Sequence, residues 1–446
     1  MMIKEFAISG LLLSVIGTNL SAQGLAAPDT AVYFPSTTQS ARAKLYQELV
    51  AWDIEANLDY DLNPDNEENW ENAFWPMELI RYHSAFAEEK LREAFATAGK
   101  RSAYFLRGLL ELVYSNFPTR FAVQVRILMG RNREPEIFAL GAEYLLQAKA
   151  VSAPSLMRVL QNAFPRDSIL TDPVLRMLYE RLKPGAGYTP HPDLLAWLSR
   201  DFVPGCTVLY SFQRKDRQYP GIALVRKPDG SFLRDSAGNL FSVPQLALSI
   251  TGLPFYLTNG NTPQGLFRMD GFGKSSSQFI GPTEDIQLSL PFEIPPDSFF
   301  ATHDPSDTVW TLNRYKGLLP PSEANYSPAF QAFYAGQAGR TAIIAHGTTI
   351  DPSYYRGAAY YPETPSLGCL CAQESWSVAD GKRLSSDQQK LVAAIREAGD
   401  GFGYAVVLEV GDQKKPVTME EIVPWIEKAE QQAAPGTQNG ANPPSR

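Results

Sequence analysis

From about residue 40 to 200, apolar positions recur every three or four residues, the spacing that turns one face of a helix toward a core. In PEIFALGAEYLLQA, Ile137, Leu140, Gly141, Tyr144 and Leu145 fall on one side of such a helix. DPVLRMLYERL opens with Asp172 as a cap and Pro173 at the first helical position, then places Val174, Leu175, Leu178 and Leu182. Pro118, Pro135, Pro154 and Pro173 follow one another at intervals of 17 to 19 residues, each opening or preceding a helix-like run. That punctuation predicts stacked helical hairpins, as in a short α-solenoid, or an ordinary helical bundle. Either arrangement is a scaffold or docking surface.

Around residue 200 the period changes. CTVLYSF, GIALVRKPDGSFLRD, NLFSVPQLALSI and PFYLTNGNTPQGLFRM are short β-rich runs divided by Asp-Gly, Asn-Gly and Pro turns. TAIIAHG and YAVVLEV are two more apolar strands. Between them, SSDQQKLVAAIREAG is an amphipathic helix capped near Ser386. The closing stretch EQQAAPGTQNGANPPSR, rich in Pro, Gly and Asn, predicts a disordered tail. The expected class is α+β multidomain, with an N-terminal all-α region, helical-hairpin or solenoid-like, followed by a mainly β domain. The expected boundaries are 1–27 for an export signal, 28–200 for the helical domain, 201–412 for the β domain and 413–446 for a C-terminal segment.

The first segment follows from MMIKEFAISGLLLSVIGTNLSAQGLAAPD. Lys4 precedes an apolar stretch over residues 6–20, and small residues follow, with cleavage expected after Ala22 or Ala27. A membrane anchor is the alternative, but Ser9, Gly10, Ser14, Gly17 and Asn19 interrupt a run already short for a span. No later segment is long and apolar enough to cross a bilayer. The mature protein is therefore expected to be exported, with no stable membrane span after signal cleavage.

With 446 residues, the chain is long for one hydrophobic core. Its 44% hydrophobic and 20% charged residues are globular in balance. A net charge of −8 offers no support for a basic nucleic-acid face, so no nucleic-acid partner is expected. The acidic run DYDLNPDNEENW sets Asp61, Asn63 and Asp65 in the alternation of a calcium loop. However, Asn66 stands at the glycine position and Asn72 at the bidentate one, which leaves a solvated loop.

Three cysteines are an odd number, so at least one thiol has no partner within the chain. Cys206 opens a strand as a core residue, far from the other two in sequence. Cys369 and Cys371 are too close for a relaxed bridge if their segment is extended. A cysteine nucleophile needs a base, and histidine is the usual one. Of the four histidines, His346 ends the TAIIA strand, 23 residues before Cys369. His83 and His191 belong to the helical region as surface or packing residues, and His303 to a loop. Gly368 allows a tight turn whose N–H groups can face a carbonyl oxygen. Two other readings of Cys369 remain. It is a buried small hydrophobe, or it joins Cys371 and His346 in a zinc site, for which a fourth ligand is missing.

His-Gly-Thr at 346–348 followed by Ser-Leu-Gly-Cys-Leu at 366–370 resembles the catalytic signature of the L,D-transpeptidase (YkuD-type) family. GNTPQGLFRM at 260–269 resembles the family's Thr-Pro-x-Gly-x-Phe hairpin, and the resemblance covers roughly residues 205–410. It implies Cys369 as nucleophile and His346 as general base. Gly368 and the Cys369 backbone would form the oxyanion hole, and Ser366 would support the turn. Gly347 and Thr348 fall beside the site, and the longer His-to-Cys segment IDPSYYRGAAYYPETP would form a lid. Tyr354, Tyr355, Arg356, Tyr360 and Tyr361 would then line a substrate groove. Two positions depart from the pattern: Leu367 stands where a second histidine is usual, and Cys371 where Arg or Asn is.

The implied chemistry is acyl transfer on peptidoglycan stem peptides, in the periplasm or at the cell wall, without metal or cofactor. The same residues are compatible with transfer to water, as in an L,D-carboxypeptidase or endopeptidase. They are also compatible with a non-catalytic cell-envelope scaffold whose helical region binds a protein partner.

Overall fold

The computed structural model describes residues 31–185, 191–302, 304 and 306–433. The expected export signal of residues 1–27, the part of the expected tail beyond residue 433 and His303 lie outside the described residues. The helical half begins with α1 (Gln39–Glu48), a π-helical segment (Leu49–Ala56), α2 (Asn57–Asp59), α3 (Glu67–Leu79) and α4 (Ala85–Thr97). It continues through α5 (Ala103–Asn116), α6 (Ala122–Arg131), α7 (Pro135–Gln147), α8 (Ala153–Ala163), α9 (Arg166–Thr171) and α10 (Pro173–Leu182).

The local signals act as expected. Pro135 and Pro173 open α7 and α10, and the Asp172 carboxylate accepts the Leu175 N–H at 2.8 Å. The apolar faces meet in one core that includes Trp70, Phe105, Leu109, Tyr144, Leu145 and Leu178. His83 is exposed, with its ring set edge-on against that of Phe117. His191 is exposed.

The second half is built on β1 (Thr207–Gln213), β2 (Gly221–Arg226), β3 (Val243–Gln245), β4 (Gly265–Gly273) and β5 (Asp285–Ser289). β6 (Ala345–His346), β7 (Leu370–Cys371), β8 (Glu374–Trp376), β9 (Arg383–Ser386) and β10 (Phe402–Glu409) follow. Among the described residues the main sheet has eight strands in the order β3-β2-β1-β10-β4-β5-β6-β7, while β8 and β9 pair separately. β1 with β10 and β6 with β7 are parallel, and the other neighbours are antiparallel. Leu246, directly after β3, exchanges both backbone hydrogen bonds with Cys371 of β7 at 2.8 Å. First and last strands thus meet, and the sheet nearly closes.

Short helices α11 (Leu194–Leu198), α12 (Pro296–Phe300), α13 (Leu312–Lys316) and α14 (Gln331–Gln337) surround the sheet. They are joined by α15 (Asp387–Ala398) and α16 (Met419–Ala433). Ser386 caps α15, accepting the Gln389 N–H at 2.8 Å, as the sequence predicts. Leu391, Val392 and Ile395 of α15 pack on Ile286, Ala345 and Leu370. Trp197 of α11 and Ile422 and Ile426 of α16 join Tyr210, Phe299 and Val406 in a second core. No helix among the described residues is long and apolar enough to cross a membrane.

The structure corrects the strand assignments in two places. Residues 254–259 of PFYLTNGN form turns instead of a strand, because their segment plugs Leu253, Tyr256 and Leu257 into the helical core. Of TAIIAHG only Ala345–His346 enters the ladder. The backbone of Ile344 is occupied instead by the turn before β7, with its carbonyl accepting the Leu370 N–H and its N–H directed at the Cys369 sulfur.

Candidate active site

The two motifs that the sequence separates by about a hundred residues lie together in the fold. Thr262, fully buried, donates its hydroxyl to the Gly368 carbonyl at 2.9 Å and to the Cys369 carbonyl at 3.3 Å. Ser366 braces the same turn from within. Its hydroxyl accepts the Gly368 N–H at 3.2 Å and donates to the Cys369 carbonyl at 3.0 Å. Gly368 has φ of +108°, and a Cβ there would collide with the Arg340 guanidinium and the Gly260 carbonyl. Only glycine fits that position. With the Gly368 N–H engaged, the Cys369 N–H is left without a hydrogen-bond partner among the described residues.

The Cys369 thiol is half-buried. Its sulfur accepts the Ile344 N–H at 3.5 Å and donates to the Ala342 carbonyl at 3.6 Å. Ala342 holds φ of +59°, an uncommon conformation for a residue with a Cβ, and Glu293 secures it by accepting the Ala342 N–H at 2.8 Å. Burial pushes the thiol up to about 11, opposed by the Ile344 N–H and by Arg340, and reinforced by the Asp285 and Glu293 carboxylates. The resting group is therefore a neutral thiol near pH 7.

His346 is buried, and burial lowers its affinity for a proton. Its Nδ1 lies 2.6 Å from the Gly347 carbonyl, which can only accept. Nδ1 therefore carries the proton and Nε2 is the free acceptor. In the β6–β7 register His346 faces Cys371, and Ala345 faces Leu370. Ile343, Ala345 and Leu370 point to the α15 core, so alternation within β6 and β7 sends His346 and Cys371 to the other side. The structure sets Cys369 directly before β7, the strand that pairs with the strand of His346. It forms no hydrogen bond between them: the thiol is bonded to Ala342 and Ile344, and the imidazole to Gly347.

Cys371 is a different kind of residue. It is buried in the seam that closes the sheet, where Thr364 bonds its thiol, and burial pushes that thiol well above the usual range. A long charged side chain at this seam would have to bury its charge, which explains why a small apolar residue stands there. A guanidinium does reach the turn, but from Arg340. It is buried and donates to the carbonyls of Phe255 at 2.5 Å, Asn261 at 2.8 Å and Gly260 at 2.8 Å. It is also the cation that opposes the upward shift of Cys369. Nothing in QAGRTAIIAHG marks Arg340 for this role, and Glu293 likewise carries no local signal.

Gly347 packs against the Glu374 carboxylate, which accepts from Thr283 and Ser386 at 2.5 Å each. The Thr348 hydroxyl pairs with that of Thr364 at 2.7 Å, and its carbonyl accepts the Trp376 indole N–H at 2.9 Å. Both residues are buried supports beside His346. The tyrosines of the 350–363 segment are dispersed. Tyr355 is buried, donates to the Leu79 carbonyl at 3.0 Å and lies under Arg81. Tyr360, also buried, hydrogen-bonds Arg81. Tyr354 leans on Tyr46 of α1, while Arg356 and Tyr361 are exposed. The segment is thus anchored to the helical half, and Tyr355 and Tyr360 are its anchors. No protein-family model, curated protein or solved structure matches this chain.

Proposed function

We propose that the protein is an L,D-transpeptidase-like cysteine acyltransferase of the cell envelope, acting on peptidoglycan stem peptides. The observation that carries this reading is the Thr262 hydroxyl on the Gly368 and Cys369 carbonyls, which joins the two motifs on which the resemblance rests. A half-buried thiol, a neutral histidine with Nε2 free and an unpartnered Cys369 N–H on the same turn support it.

The steps follow from those groups. The thiol leaves the Ala342 carbonyl and passes its proton to His346 Nε2, so that a thiolate forms only as it attacks. The sulfur bonds to the carbonyl carbon of the third stem residue, and the resulting oxyanion accepts the Cys369 N–H. The C–N bond then breaks, and His346 returns the proton to the departing D-alanine amine. The thioester is taken by the amine of a second stem, whose proton passes through His346 back to sulfur. Water in place of that amine gives the hydrolytic form of the reaction.

The test is incubation of the purified protein with tetrapeptide muropeptides, followed by mass spectrometry, beside Cys369→Ala and Cys371→Ala. The expected result is D-alanine release with an acyl adduct on Cys369, lost in Cys369→Ala and kept in Cys371→Ala. Crosslinked dimer identifies an amine acceptor, and trimmed monomer identifies water. Absence of release, dimer and adduct alike rejects the enzyme and leaves the scaffold.

A further inference from the structure

We propose that glutamates of α5 and α7 act as positioning residues for Cys369, gripping the 253–261 loop that carries the nucleophile turn; this rests on the acyl-transfer reading. Glu143 of α7 accepts the Tyr256 hydroxyl at 2.7 Å, and Glu136 of α7 accepts the Thr258 hydroxyl at 2.6 Å. Glu111 of α5 accepts the Asn259 side-chain amide at 2.9 Å. Three polar side chains within four residues are each spent on a carboxylate of the helical half, and Leu253 and Leu257 are sunk in its core. Each carboxyl oxygen accepts from the loop, and several such bonds along one short segment fix its place.

The opposite side of the loop faces the site. Its carbonyls at Phe255, Gly260 and Asn261 are held by Arg340, and the next residue, Thr262, holds the carbonyls of Gly368 and Cys369. Gly368 packs against both Arg340 and the Gly260 carbonyl. A shift of the loop therefore displaces the guanidinium and the turn together, and changes both the place and the charge environment of the Cys369 sulfur. The helical half is one wall of the site's support, and a docking role is not needed to account for it.

The test uses the full chain with Tyr256→Phe, Thr258→Val and, as the conservative change, Thr258→Ser. Alkylation of Cys369 by iodoacetamide is followed by peptide mass spectrometry from about pH 6 to about pH 10, with thermal midpoints and muropeptide turnover measured on the same samples. Tyr256→Phe and Thr258→Val are expected to change the rate of Cys369 alkylation across this range and to slow turnover about tenfold, while Thr258→Ser keeps the native profile. Profiles that superimpose on the native one while the thermal midpoint falls overturn the proposal, since a merely structural contact behaves that way. A shifted profile in a protein without turnover keeps the positioning role and rejects the acyl transfer.

Discussion

Cys369 and Cys371 are separated by one residue, yet they occupy unlike environments. Cys369 ends a turn that reaches solvent, and Cys371 is locked in the seam between Leu246, Thr364 and β6. Cys371→Ala should keep turnover and cost about 1 kcal/mol in denaturant unfolding, the small loss expected for one buried heavy atom. Iodoacetamide should label Cys369 before Cys371 in the folded protein and both alike in denaturant. Arg340 is the residue on which the turn depends most. Arg340→Met strips three carbonyls of their donor and is expected to cost about 3 kcal/mol. Arg340→Lys should recover little of that loss, because one ammonium cannot span three acceptors as the planar fork does. Equal unfolding midpoints for Arg340→Met and the native protein would remove Arg340 from the support.

At the scale of elements, helix ends and loop anchors do separate work. The Asp172 carboxylate satisfies the Leu175 N–H at the start of α10, so Asp172→Ala should lower stability by about 1 kcal/mol without altering turnover. Thermal unfolding and the muropeptide assay check the two halves of that statement. The 350–363 segment is pinned to the helical half by Tyr355, Tyr360 and Arg81. It links β6 to β7, so its anchoring and the glutamate-held loop hold the two sides of the site from the same body of helices.

Across the whole molecule, buried acids set the response to pH. Burial raises Glu111 to about 7, and raises Glu78 well above the ordinary carboxylate range with the Glu111 charge adding to it. Between the unfolded value near 4.5 and about 7, the folded chain holds protons on these groups that the unfolded chain has released. Their contribution to stability is full below that window and is lost as pH rises through it. His346 and His83 are lowered, so they act in the opposite direction, adding stability as pH rises toward the unfolded histidine value. The difference between native protein and Glu111→Gln isolates the acid: the stability lost between pH 5 and pH 8 should be smaller in the variant. An identical pH dependence would mean that Glu111 is not protonated in the folded state.

The sequence by itself determined the order of a helical half before a β half, the caps at Asp172 and Ser386, and the glycine-bounded cysteine turn. These are legible because each is written within a turn or two of chain, where periodicity, a side-chain oxygen and a missing Cβ act on near neighbours. Strand edges were less legible. PFYLTNGN has the composition of a strand, but its apolar side chains are claimed by helices from another part of the chain. The tertiary structure alone decided that Thr262 holds Cys369, that a guanidinium comes from Arg340 rather than residue 371, and that glutamates of the helical half bear on that loop. Those contacts join groups tens of residues apart, up to 148 for Glu111 and Asn259. No local spacing encodes them, because they exist only once the sheet has nearly closed and both halves have docked.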